Sequence, residues 1–202
     1  EVGDHSVVLT VSDGFVTVNQ EFTITVENTN DAPVFTSTPT TSSIEDAGYS
    51  YTATALDIDV GDSLTFAAPT LPDWLEFDAA TQILSGTPTN DDVGDHSVVL
   101  TVNDGTETVN QEFTITVTNT NDAPVFTSEA VTAATEDAIY SYTVITEDVD
   151  LEDVLVLTVI VLPAWLEFSD DGDGIGTLIG TPTNDEVGDH SVVLTVSDGF
   201  VT

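Results

Sequence analysis

Val109-Asn110-Gln111-Glu112-Phe113-Thr114-Ile115-Thr116-Val117, followed by Thr118 and then by Asn119-Thr120-Asn121-Asp122-Ala123-Pro124, decides how the chain is read. In the first segment the apolar letters fall on alternate positions, so an extended backbone carries them all on one face and leaves polar side chains on the other. That is the mark of a half-buried β-strand. The second segment is a joint. Oxygen-bearing side chains fill four of its six positions, and a proline then stiffens the exit. Both segments recur upstream, as Val18–Val26 and Asn28-Thr29-Asn30-Asp31-Ala32-Pro33. A strand that ends in a rigid joint, written twice, implies a string of β modules.

Extending the comparison outward confirms an array. Residues 1–37 and 92–128 differ at only five positions, at an offset of 91. Leu71-Pro72-Asp73-Trp74-Leu75-Glu76-Phe77 returns at the same offset as Leu162-Pro163-Ala164-Trp165-Leu166-Glu167-Phe168. Three residues are inserted between Phe168 and Pro182, so Gly94-Asp95-His96 returns as Gly188-Asp189-His190. Residues 1–17 are identical to residues 186–202, which makes the chain one two-module unit of 185 residues plus a 17-residue overlap.

Within a module the strand signals are dense. Tyr49–Ala55 alternates as Val109–Val117 does. Ser97–Val102 is apolar on most of both faces, as a central strand is, and Asn103-Asp104-Gly105 turns it into Val109–Val117. Shorter runs at Val34–Thr36, Leu64–Ala67, Leu75–Phe77 and Ile83–Leu84 bring the count to about seven strands in ~90 residues, the pattern of an all-β, Ig-like sandwich. Trp74 and Trp165 are expected to plug the core between the sheets.

Composition narrows the function. The chain has no Lys or Arg, 37 acidic residues and a formal charge of −37. Its hydrophobic fraction of 40% suffices for a core, and the acids are dispersed, so a folded protein with metal counter-charges accounts for the balance better than a disordered acidic tail. No basic side chain can meet a phosphate, which excludes nucleic acid and an anionic membrane surface as partners. Without cysteine there is no disulfide framework. No apolar run approaches the ~20 residues of a membrane span. The chain has no initial Met and is expected to be a piece of something longer.

Oxygen ligands packed into a short turn suit a hard divalent cation, calcium above all. Asp57-Ile58-Asp59 strengthens this. Alternate residues of an extended segment point to one side, so both carboxylates can face one ion, and without a cation they repel.

The order of Glu45, Asp57-Ile58-Asp59, Asn103-Asp104-Gly105 and Asn119-Thr120-Asn121-Asp122-Ala123-Pro124 resembles cadherin repeats. The Leu-Pro-x-Trp-Leu-x-Phe and Gly-Thr-Pro-Thr-Asn segments look like bacterial cadherin-like modules, the dystroglycan-type or putative-Ig repeats of large surface adhesins. The resemblance covers essentially the whole chain. It implies tandem Greek-key β-sandwiches with calcium clamped between successive modules. Residues 1–27 then form the C-terminal strands of a preceding module, 28–118 a complete cadherin-like module, and 119–202 a module lacking its last strand.

Carried over residue by residue, the resemblance assigns Asn28, Asn30, Asp31, Asp57, Asp59 and Asp104 to the first joint. The second takes Asn119, Asn121, Asp122, Asp148, Asp150 and Asp198, with Glu45 from the module before. Glu136 is the counterpart of Glu45 in the following module. The family's Leu-Asp-Arg-Glu segment is missing; Gly86-Thr87-Pro88-Thr89-Asn90-Asp91 stands near its place, so Asn90 or Asp91 can substitute.

Two further segments carry weaker signals. Ser169-Asp170-Asp171-Gly172-Asp173-Gly174 partly matches a calcium loop but lacks the closing Glu, and an ordinary hairpin turn explains it as well. His5, His96 and His190 each lie between Asp and Ser, but consecutive strand residues face opposite sides and cannot form a relay. No nucleophile elbow or zinc-protease motif is present. The function expected is a calcium-stiffened extender or filament segment of a secreted or cell-surface bacterial adhesin, not an enzyme. Its partners are neighbouring repeats or identical chains head-to-tail, with Val18–Val26 of one molecule completing 119–202 of the next. A module engaging polysaccharide or its own kind is the alternative, and Phe15 and Phe200 are its candidate surface aromatics.

Overall fold

The computed structural model describes residues 2–150 and 153–202; Glu1, Leu151 and Glu152 lie outside the described residues. Among the described residues the regular elements are strands and two three-residue 3-10 turns. The chain divides into two compact units, residues 1–118 and 119–202.

The first unit opens with β1 (Gly3–Ser12) and β2 (Thr17–Val26), an antiparallel two-stranded sheet in continuous register from Gly3↔Val26 to Ser12↔Thr17. Asp13 makes the turn, its Oδ1 accepting the N–H groups of Phe15 and Val16 at 2.9 and 2.8 Å. Then come β3 (Val34–Phe35), β4 (Ser42–Ile44), β5 (Tyr49–Thr52), β6 (Ala55–Leu56), β7 (Thr65–Thr70), β8 (Leu75–Asp78), β9 (Ile83–Gly86), β10 (Gly94–Asn103) and β11 (Thr108–Thr118). One sheet has the order β4-β11-β10-β7, a second β5-β9-β8, and β3 pairs with β6.

The inward faces of β10 and β11 supply Val98, Leu100 and Ile115. They cluster with Tyr49, Tyr51, Leu75 and Leu84 from the facing sheet and with Ala53 just beyond β5. This is the alternation read from Val109–Val117, converted into burial. The run expected as one strand over Tyr49–Ala55 is broken at Ala53, whose N–H donates to Gln82 O. The expected Ser97–Val102 strand is longer, because its pairing with β11 continues to both ends. The polar segment Ser42–Ile44 gave no strand signal; it becomes β4 by lying parallel to the edge of β11.

Trp74 is half-buried at the flank of the core, not at its centre. It stands edge-on to Tyr49 and His96, at centroid distances of 5.8 and 5.9 Å. The Trp74 carbonyl lies so close to Gly86 that a Cβ there would sit 2.0 Å from it, which explains the glycine that opens Gly86-Thr87-Pro88. Thr89 and Asp92 then form a reciprocal capping box around the 3-10 turn Asn90–Asp92.

The second unit contains β12 (Val125–Phe126), β13 (Tyr140–Glu147), β14 (Val156–Val161), β15 (Leu166–Gly172), β16 (Ile175–Gly180) and β17 (Val193–Ser197). Its sheets are β12-β13-β16-β15 and β14-β17. The core is Val144, Leu155, Leu157, Leu166, Leu178 and Val196. The inserted residues lengthen the β15–β16 hairpin, which pairs from Leu166↔Gly180 to Gly172↔Ile175 with a bulge after Asp170.

Candidate metal centre

In each unit, three loops bring carboxylates together. In the first they are the segment before β3, the loop after β6 and the turn after β10. The Asn30 side-chain amide donates to Asp104 Oδ2 at 3.1 Å. The Asp31 N–H donates to Asp59 Oδ2 at 2.7 Å, and the Asp59 N–H to Asp57 Oδ1 at 2.9 Å. Asp104 Oδ1 accepts the N–H groups of Thr106 and Glu107, both at 2.7 Å. Carboxylate oxygens of Asp57, Asp59 and Asp62 all lie within 4.8 Å of one another.

The second unit repeats the construction. The Asn121 amide donates to Asp198 Oδ2 at 2.9 Å, the Asp122 N–H to Asp150 Oδ2 at 2.8 Å, and the Asp150 N–H to Asp148 Oδ1 at 3.0 Å. Asp198 Oδ1 accepts the N–H groups of Phe200 and Val201 at 2.7 and 2.6 Å. Here carboxylate oxygens of Asp148, Asp153 and Asp198 lie within 4.8 Å of one another. The linker Asn and Asp therefore act first as scaffold. Their amides fix the aspartates of the other two loops.

The electrostatics divide each group. The N–H groups of Glu107 and Thr106, then the Asn30 amide, hold the Asp104 carboxyl below its ordinary value. The Asn121 amide, then the N–H groups of Val201 and Phe200, do the same for Asp198. Desolvation, then repulsion from Asp57, Asp59 and Asp104, pushes Asp62 up. Desolvation, then Asp150, Asp148 and Asp198, pushes Asp153 up. Negative charge is thus pinned in place beside groups that resist carrying more of it.

Asp57 Oδ2, Asp148 Oδ2, Asp150 Oδ1 and Asp153 Oδ2 are buried without a hydrogen-bond partner. A buried, unpaired carboxylate oxygen is costly, and a cation is the partner that satisfies several at once. The donor set is all oxygen, which fits a hard ion such as calcium and not zinc or copper.

Asp62 and Asp153 were missed in the sequence reading. Their signal was present: Asp57, Asp59, Asp62 and Asp148, Asp150, Asp153 share one spacing, i, i+2, i+5, at the same offset of 91 as the rest of the module. The other sequence candidates are placed as follows. Asn28 and Asn119 are exposed in the joints. Glu45 is buried at the end of β4, its N–H donating to Thr118 O at 3.1 Å. Asn90 and Asp91 lie in the 3-10 turn Asn90–Asp92; the N–H of Asp46 donates to Pro88 O, just before that turn. Glu136 is exposed and belongs to neither intra-unit carboxylate group.

The remaining signals have structural explanations. Asp171 accepts Thr177 Oγ1 at 2.7 Å and Ser169 Oγ at 2.9 Å, bonds that lower its carboxyl and close an ordinary hairpin end. His96 Nε2 lies 2.6 Å from Asp92 O and His190 Nε2 2.6 Å from Glu186 O, each ring against its tryptophan. Each histidine ties the 3-10 turn to the start of the following segment. Phe15 and Phe200 are strongly exposed.

Comparison with known proteins places this geometry. The family described as "Putative Ig domain" matches twice, over residues 32–118 and 123–202. Among solved structures, PcdhgB3 EC1-4 is similar at a TM-score of 0.63 and 18% identity, over 96% of this chain and 52% of that one. Protocadherin gamma B7 extracellular cadherin domains 1-4 give 0.55 and 18%, over 97% and 54%. The endo-fucoidan hydrolase MfFcnA4 from glycoside hydrolase family 107 is 27% identical over 98% of this chain and 32% of that one, at a TM-score of 0.40. The chain thus spans between about a third and about half the length of these structures. Curated protein sequences give no match. The protocadherin likeness is one of fold: tandem Ig-like, cadherin-like β-sandwiches.

Proposed function

The chain belongs to the Putative Ig domain family, and we propose that it is a calcium-binding structural repeat of a secreted or cell-surface bacterial adhesin or fibre. In this reading calcium sits at each joint and stiffens a string of modules into an extender or filament segment that holds an adhesive tip away from the cell. Asp57, Asp59, Asp62 and Asp104 hold the ion of the first joint, with Asn30 and Asp31 positioning them. Asp148, Asp150, Asp153 and Asp198 hold that of the second, with Asn121 and Asp122.

The observation that carries the reading is the buried, unpartnered aspartate oxygens, Asp57 Oδ2 in the first unit and Asp148 Oδ2, Asp150 Oδ1 and Asp153 Oδ2 in the second, in a chain without a single Lys or Arg. Calcium supplies the positive charge the sequence omits. The aspartates orient the ligand oxygens and exclude water, and the turn N–H groups keep Asp104 and Asp198 ionised to receive it.

Thermal melting in calcium and in chelator tests this. Extracellular modules bind calcium with Kd of roughly 10⁻⁴–10⁻³ M. At 10 mM calcium, linkage then adds about 1.4–2.7 kcal/mol per site, a rise in Tm of at least about 5 °C. Equal Tm values in calcium and in chelator would remove the basis for the proposal.

A further inference from the structure

In the first unit β7 closes one side of the sheet β4-β11-β10-β7 and pairs only with β10. Its counterpart in the second unit, at the module offset of 91, is β14, which pairs with β17. Among the described residues no strand pairs with the other side of either. Outside the ladder to β17, Val156–Val161 make no backbone hydrogen bond among the described residues. A row of N–H and C=O groups is therefore left for water or for another strand.

The two edges carry different letters. β7 reads Thr65-Phe66-Ala67-Ala68-Pro69-Thr70, and β14 reads Val156-Leu157-Thr158-Val159-Ile160-Val161. Pro69 has no N–H to offer an approaching backbone, and proline is one of the ways a sheet edge is guarded. Ile160 stands at the same position and removes that guard. On the outward face Thr65, Ala67 and Pro69 become Val156, Thr158 and Ile160, and all six are exposed. The position thus faces solvent in both units, but only β14 presents large apolar groups there, with Val156 at 49% and Ile160 at 61% exposure. β14 is rich in β-branched residues and has no proline, glycine or charge, the composition of a strand that pairs with others.

Charge selects the partner. The chain has 37 acidic residues and no Lys or Arg, so its surface at large repels a second copy. Val154–Leu166 holds no acidic residue at all. Along this segment two copies can meet without setting one carboxylate against another.

We propose that β14 is the edge by which two copies of this chain associate side by side, β14 against β14, antiparallel about a two-fold axis. Opposed residues must point to the same face, so outward residues lie opposite outward ones. Thr158 is the midpoint of Val156–Ile160 and faces Thr158 of the second copy. Val156 then lies opposite Ile160, and Leu157 opposite Val159. Asp153, the acid nearest the strand, falls opposite Pro163 and meets no carboxylate. The contact is isologous and uses up both edges, so it closes at two copies. Nothing in it uses a metal, and it does not depend on the calcium reading.

Sedimentation equilibrium of the whole chain in chelator tests it. The measurement is made at ~1 M salt, where the Debye length is about 3 Å and the general repulsion is screened. The expected result is a monomer–dimer equilibrium, weakened about tenfold or more by Ile160→Pro. The fold accepts that change, because Pro69 occupies the equivalent irregular position of β7, and an unmoved Trp165 melting transition verifies it. A second variant reads the register. The chain has no cysteine, so Thr158→Cys should link to itself on oxidation and should stop doing so when Ile160→Pro is added. A chain that stays monomeric at millimolar concentration, a dimer that survives Ile160→Pro, or growth past two copies would overturn the proposal. So would a Thr158→Cys yield no greater than that of Glu129→Cys, an exposed site of the same unit.

Discussion

Leu9, Leu100 and Leu194 stand in one local sequence, Ser-Val-Val-Leu-Thr-Val, and in three environments. Leu100 is 0% exposed in the core of the first unit, Leu9 is 54% exposed on β1, and Leu194 lies between these, against the core of the second unit. Propensity is the same at all three, so replacement by alanine isolates burial. Leu100→Ala removes a fully packed side chain and should cost about 2–5 kcal/mol. Leu9→Ala removes a side chain that is half in water and should cost under about 1 kcal/mol. With a urea m-value of ~2 kcal/mol/M, Leu100→Ala lowers the midpoint by about 1–2.5 M. Each unit holds one tryptophan, Trp74 in the first and Trp165 in the second, so Trp→Phe backgrounds report each unit's unfolding separately. In dilute protein, Leu100→Ala should move the Trp74 transition and leave that of Trp165 in place. Equal losses from Leu9→Ala and Leu100→Ala would refute the assignment of β10 to the core and of β1 to an exposed hairpin.

Asp153→Asn should have opposite effects in two buffers: in chelator it relieves repulsion from Asp150, Asp148 and Asp198 and raises the melting temperature of the second unit, while in calcium it shrinks the ion's stabilisation; melts in both buffers read the signs. In chelator the pH dependence should be bell-shaped. Asp62 and Asp153 are raised, so the folded state binds their protons first and stability grows as pH falls through their raised values toward the ordinary 3.8. Asp104 and Asp198 are lowered, so their contribution is present above 3.8 and is lost as pH falls below it, which a pH series of chelated melts would detect. Gly180→Ala would place a Cβ 2.2 Å from the Trp165 carbonyl and should cost at least about 1–3 kcal/mol in the Trp165 transition. Gly48→Ala, with nothing within 4 Å, should change little. Asp122→Ala should weaken calcium binding in the second unit far more than Asp170→Ala does, as titration of the two variants would show.

The long strands were legible because their signal is local. Val109–Val117 alternates in the letters as it does in burial, and Asn103-Asp104-Gly105 makes the turn its composition requires. What escaped was set by partners. Ser42–Ile44 is a strand only because β11 passes beside it; its counterpart Ala133–Thr135, without such a neighbour, is not one. Trp74 was expected between the sheets but flanks them, because Gly86 lets the Trp74 backbone close on β9 and holds the indole at the side, against Tyr49 and His96. In the metal centre Asp57, Asp59 and Asp104 were visible through alternation and turn chemistry. Asp62 and Asp153 were not, since the backbone must first turn after Asp59 and Asp150 before a residue three positions on comes back to the group. The side-chain amides of the linker residues Asn30 and Asn121 donate to Asp104 and Asp198, contacts that were not legible because they join loops far apart in sequence.

A crystal structure grown in calcium tests the central claim most directly. An ion is expected in each unit, one against Asp57, Asp59 and Asp62 and one against Asp148, Asp153 and Asp198. Each should have all-oxygen ligands at about 2.3–2.6 Å, in a shell of roughly six to eight. Well-ordered aspartates surrounded by water alone, in crystals held at millimolar calcium, would contradict it.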